Sequence, residues 1–112
     1  MKIKIGNKKI KVSSINGFFN RFKCMKFVFE PIKEGFRFEN CKKINTYFFC
    51  QKVDIVMTDI DNKILYMYPN LKTEKKIRKK KNVYYTYILP LSSCDKLNIG
   101  DILKIEQEKK NI

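Results

Sequence analysis

Alternation dominates the start of the chain. From Lys2 to Val12, lysines alternate with Ile3, Ile5, Ile10 and Val12 on either side of Gly6-Asn7. A period of two places those apolar residues on one strand face, and Gly-Asn is a two-residue turn signal, so the pattern predicts a β-hairpin. The period then lengthens. Ser13, Ser14 and Asn16 offer N-cap oxygens ahead of Phe18, Phe22 and Met25, whose spacing by four and three predicts a short amphipathic helix reaching Lys26. Pro31 ends that segment, because proline disfavours helical geometry in the residue before it, and Glu34-Gly35 reads as a turn. Phe36 and Phe38 alternate with Arg37 and Glu39, which predicts a short strand with one aromatic face.

Cys41 to Asp61 is the stretch around which the rest is arranged. Thr46–Phe49 and Val53–Thr58 are rich in β-branched and aromatic side chains, which fit a pleated, half-buried surface, so two strands separated by Cys50-Gln51-Lys52 are expected. Asp54 interrupts an otherwise apolar run, and a buried carboxylate needs a partner. Asp59-Ile60-Asp61-Asn62 predicts a tight turn into Lys63–Tyr68, making Val53–Tyr68 a hairpin. Lys72–Lys81 is dense in charge and reads as an exposed, mobile loop. A tyrosine-rich strand, Val83–Leu89, ends at Pro90; Ser92, Ser93 and Asp95 could cap one helical turn, and a β-turn at Asn98–Asp101 precedes a last strand, Ile102–Ile105. The expected fold is mostly β: a small antiparallel β-sandwich or partly open barrel with one short N-terminal helix and a basic loop. Residues 1–106 form its single domain, and residues 107–112 are a frayed tail.

A chain of 112 residues fits one core, and its 44% apolar content is that of a folded protein. No apolar run is long enough to span a bilayer, and the N-terminus lacks the continuous apolar segment of a secretory signal, which predicts a cytoplasmic chain. The net charge of +14 draws attention to polyanions. Only Arg21, Arg37 and Arg78 are arginines among 25 basic residues, and alanine is absent, a bias typical of AT-rich coding that raises lysine everywhere. Charge by itself therefore distinguishes little. Cys24, Cys41, Cys50 and Cys94 are widely spaced and histidine is absent, so no metal or cofactor is expected. The cysteines read as small buried hydrophobes, with Cys41 and Cys50 the only pair worth considering for redox chemistry.

Several short motifs occur in an order that resembles the family of the domain of unknown function 192, also called uncharacterised protein family 0127. They are Arg21-Phe22-Lys23-Cys24-Met25, then Cys41 with Ile44-Asn45-Thr46, then Lys52-Val53-Asp54-Ile55-Val56-Met57-Thr58-Asp59, and finally Tyr87-Ile88-Leu89-Pro90-Leu91 with Gly100-Asp101. The resemblance covers nearly the whole chain and implies a compact β-rich fold with cytosolic or envelope-associated members. It implies no reaction, ligand or metal. Asn45 stands where relatives carry His, Phe49 where Met is usual, Lys52 for Pro, Cys24 for Gly, and Pro90 where an acidic residue is common.

Three surfaces are candidates. The resemblance brings together Arg21, Asn45, Thr46 and Asp54 as one polar pocket, in which Arg21 could pair with Asp54 while Asn45 and Thr46 complete the shell; the same set could equally pin the fold. The second is Lys72, Lys75, Lys76, Arg78, Lys79, Lys80 and Lys81, which could contact RNA, DNA or an anionic lipid surface, although Arg78–Asn82 contains no aromatic for a base to stack on. The third is the tyrosine-bearing sheet, Tyr66 with Tyr68 and Tyr84 to Tyr87. These point first to a non-enzymatic binding or assembly module for a protein or small ligand, and second to a polyanion binder. An enzyme using Asp54 with Arg21 ranks last, since general acid–base work near neutrality has no histidine to draw on.

Overall fold

The computed structural model describes residues 1–15 and 25–106. Nine strands build it: β1 (Lys2–Ile5), β2 (Lys8–Ile15), β3 (Gly35–Glu39), β4 (Ile44–Asn45), β5 (Val53–Thr58), β6 (Ile64–Leu71), β7 (Lys76–Ile77), β8 (Tyr85–Leu89) and β9 (Lys104–Glu106). Seven form one sheet in the order β6-β5-β8-β3-β2-β1-β9, and β4 pairs with β7 in a second, two-stranded sheet. The large sheet curls into a half-barrel. Its two outer edges meet at one end, where the Ile64 amide donates to the Asp101 carbonyl at 2.8 Å and the Leu103 amide to Asn62 at 2.9 Å.

The curl buries central strands on both faces. Within it lie Ile3, Ile5, Val12, Val56, Ile64, Tyr87, Leu89, Cys94 and Leu103. Against the outer face, Met25, Cys41, Ile44, Phe49 and Ile77 pack on Phe38, Val53, Ile55, Met57 and Ile88 of the sheet. This explains why β5 is buried at all six positions and reads as a nearly continuous apolar run. The β4–β7 layer thus lies outside the sheet, and it carries the basic segment.

The first hairpin forms as expected, with Ile5 opposite Lys8 and Gly6 at the positive φ of 58° that its turn requires. Three expectations need correction, and a fourth, the N-terminal helix, falls largely outside the described residues. β2 continues through Ser13 and Ser14, which pair with Phe36 and Arg37 instead of capping a helix, and this β2–β3 pairing is parallel within an otherwise antiparallel sheet. The predicted helix falls largely on residues 16–24, outside the described residues; Lys26 at its end bridges antiparallel to Phe49. Thr46–Phe49 is a turn and not a strand, closed by the Phe49 amide on the Thr46 carbonyl at 3.1 Å. Finally, β6 runs past Tyr68 through Pro69 to Leu71. Proline is tolerated there because β6 is an edge strand and the register against β5 shifts between Val53 and Ile55. No helix among the described residues is long and apolar enough to cross a membrane.

Candidate functional site

Asp54 is 1% exposed, and both of its carboxylate oxygens are engaged. Opposite it, β6 carries one extra residue, and Asn70 adopts a φ of 54° that turns its amide inward to donate to Asp54 Oδ1 at 2.8 Å. On the other side the Cys94 amide, in the 3-10 turn Ser93–Lys96, donates to Oδ2 at 2.8 Å. Asp54 therefore fastens the bulge of β6 to that turn. Burial and the neighbouring Asp54 charge push the Cys94 thiol up to about 12, so it stays protonated at neutral pH and is a poor nucleophile.

The structure divides the expected polar pocket. Thr46, also buried, serves the basic segment: its hydroxyl donates to the Lys72 carbonyl at 2.8 Å and accepts from the Lys75 amide at 2.8 Å, while its own amide donates to the Lys75 carbonyl at 2.8 Å. Asn45 Oδ1 accepts from the Tyr47 amide at 3.3 Å. Asp54 and Thr46 thus hold the two ends of the Asn70–Lys75 link, each through backbone groups. Arg21 lies outside the described residues.

The tyrosines of the sheet are scaffold in large part. Tyr87 is fully buried, donates to Asn62 Oδ1, and has its hydroxyl pushed up to about 12 by burial. Tyr66, Tyr68, Tyr84 and Tyr85 are half-buried; Lys80 Nζ lies 5.5 Å from the Tyr66 ring centre, and the Arg37 guanidinium 4.6 Å from that of Tyr85.

The basic segment is more ordered than its composition suggests. Ile77 is buried, β7 pairs with β4 through Ile44↔Ile77 and Asn45↔Lys76, and the Lys80 amide donates to the Lys42 carbonyl at 3.0 Å. One apolar residue in a run of lysines anchors the whole segment. Lys72, Lys75, Lys76, Arg78, Lys79 and Lys81 point to solvent, and Lys80 is half-buried. Lys72, Lys75 and Lys76 border a groove of about 540 Å³, together with Tyr68, Pro69 and Asn70. Met67, Leu71 and Ile77 complete its lining, and the single acid of the segment, Glu74, accepts from the Phe48 amide through Oε1 at 2.8 Å. Such a groove suits an extended, phosphate-bearing chain.

A pair of exposed aromatics lies on the turn that Glu74 engages. Phe27 and Phe48 are 64% and 55% exposed, with ring centres 5.6 Å apart, and Phe29 and Tyr47 are exposed nearby in sequence. Both rings of the pair sit on left-handed backbone, at φ of 60° and 64°, which costs roughly 1–2 kcal/mol per residue. Leaving a phenylalanine in water forgoes a further ~1.5–3 kcal/mol. The two turns are held together by the Lys26–Phe49 bridge and by the Phe27 amide donating to the Phe48 carbonyl at 2.9 Å. Three successive aromatics, Tyr47-Phe48-Phe49, were the available signal, because a tight turn can bury only part of such a run.

No family model matches the chain, and no curated protein is similar to it. The fold is similar to two crystal structures. A protein of unknown function from Novosphingobium aromaticivorans superposes with a TM-score of 0.71, covering 93% of this chain and 82% of its own at 11% identity. A protein described as a "putative transcription regulator" from Sinorhizobium meliloti gives 0.75, covering 92% and 89% at 13% identity. At such identities the likeness shows the fold alone.

Proposed function

We propose that the chain is a non-enzymatic binding module whose ligand is a polyanion held along the groove bordered by Lys72, Lys75 and Lys76. The observation that carries this reading is the anchoring of the basic segment. Thr46, the β4–β7 pair and buried Ile77 fix the backbone that carries the lysines, so ordering it adds little to the cost of binding. A merely solvated run of lysines needs no such attachment. The description of one structural neighbour as a transcription regulator is compatible with a nucleic-acid ligand. The order and spacing of the motifs around Arg21, Asn45, Asp54 and Gly100 support membership of the domain of unknown function 192 family, and the partly closed half-barrel supports the partly open barrel form of the expected fold. The engagement of both Asp54 oxygens by backbone amides favours a structural role over a ligand pocket or an acid–base site.

Two triple variants of equal charge test the proposal by anisotropy with a labelled oligonucleotide. Lys72→Gln/Lys75→Gln/Lys76→Gln is expected to lose most of the binding. Lys2→Gln/Lys4→Gln/Lys11→Gln, at exposed positions of β1 and β2, is expected to lose little. Equal losses would assign the binding to net charge alone and overturn the groove.

A further inference from the structure

Phe27 and Phe48 sit on left-handed backbone and leave more than half of their surface exposed. Phe48 is also tied to the basic segment. Phe48 is fixed by Glu74, which lies between the groove residues Lys72 and Lys75, and Lys26 Nζ sits 5.0 Å from the Phe48 ring centre while contacting the Tyr47 carbonyl at 3.3 Å. Exposed π surface beside cationic groups is what a base and its phosphate each require. We propose that Phe27 and Phe48 form a stacking platform for unpaired bases, so that the polyanion lying in the Lys72–Lys76 groove is a single-stranded nucleic acid. This rests on the groove reading above and narrows its ligand class.

An anionic membrane shares part of this chemistry. The groove favours the strand: Lys72, Lys75 and Lys76 follow one short segment along a shallow, open groove, where successive phosphates of one chain can meet successive ammonium groups. A duplex hides its base faces and would gain nothing from the two rings.

The test compares a thymidine oligonucleotide of about 12 residues with an abasic strand of equal length, which keeps the phosphates and lacks the bases. The protein is expected to bind the thymidine strand at least about tenfold tighter. Phe27→Asn/Phe48→Asn should abolish that margin and leave abasic binding unchanged; asparagine tolerates the left-handed backbone, so the fold survives, as thermal unfolding would verify. Phe48→Trp should keep or widen the margin. Equal binding of both strands by the unaltered protein, still dependent on the groove lysines, would overturn the platform and leave the groove standing. Binding of neither strand would overturn both. Loss of phosphatidylserine-vesicle binding in the Phe27/Phe48 variant, without change in the strand margin, would assign the rings to a membrane and overturn the proposal.

Discussion

At the scale of single residues, Asp54 joins parts of the chain that propensity does not bring together. Its two oxygens satisfy the amides of Asn70 and Cys94, and one carboxylate thereby closes both a bulge and a 3-10 turn. Asparagine at this position could accept only one of those bonds and would aim an N–H group at the other donor. Asp54→Asn should therefore lower the unfolding free energy by about 2–4 kcal/mol in urea titration, while oligonucleotide binding by the folded fraction persists. Unchanged stability would contradict the structural assignment. Cys94 and Tyr87 give a second prediction. Their folded-state pKa values, both about 12, exceed ordinary values of 9.0 and 10.0, so the unfolded chain releases these protons first as the pH rises. The sign is negative: stability is intact below about pH 9 and declines between about pH 9 and pH 12. Urea midpoints should fall over that window, and Cys94→Ala should shallow the decline. A midpoint independent of pH there would refute the burial argument.

At the scale of elements, close packing of the parallel β2–β3 pair against β8 depends on Gly35. A Cβ there would lie 2.7 Å from Leu89 Cδ2 and 3.0 Å from the Ile88 carbonyl oxygen, and the latter is backbone that cannot swing aside. Gly35→Ala should cost about 1–3 kcal/mol, measurable as a lower thermal midpoint; a midpoint at or above that of the unaltered chain would show that the strands can separate freely. The sequence disclosed elements whose pattern is local. The β1–β2 hairpin was legible from alternation around Gly6-Asn7, and β5 from an apolar run interrupted only by Asp54 before Thr58. It concealed elements whose pattern depends on partners. β7 is two residues long and lies within lysines, so only the pairing of Ile77 with Ile44 reveals it. Thr46–Phe49 has strand composition but turns, because Thr46 commits its amide and hydroxyl to Lys72 and Lys75 and its carbonyl to the Phe49 and Glu74 amides. The candidate site followed the same division: the lysines could be named from the sequence, whereas Phe27 and Phe48 become neighbours only through the Lys26–Phe49 bridge.

For the whole molecule, a net charge of +14 creates an attractive field for any polyanion, but a diffuse field and a built groove differ in how they respond to salt. Lys72, Lys75 and Lys76, held on paired and anchored backbone, should each displace a counterion from a bound strand. The most direct measurement is the slope of log affinity against log salt for a single-stranded oligonucleotide, with the unaltered chain and with Lys72→Gln/Lys75→Gln/Lys76→Gln. Binding should persist at near-physiological salt, with a slope shallower by about 2 in the variant, given about 0.7 per single-strand phosphate contact. Binding that vanishes at that salt, or a slope unchanged by the three substitutions, would contradict it.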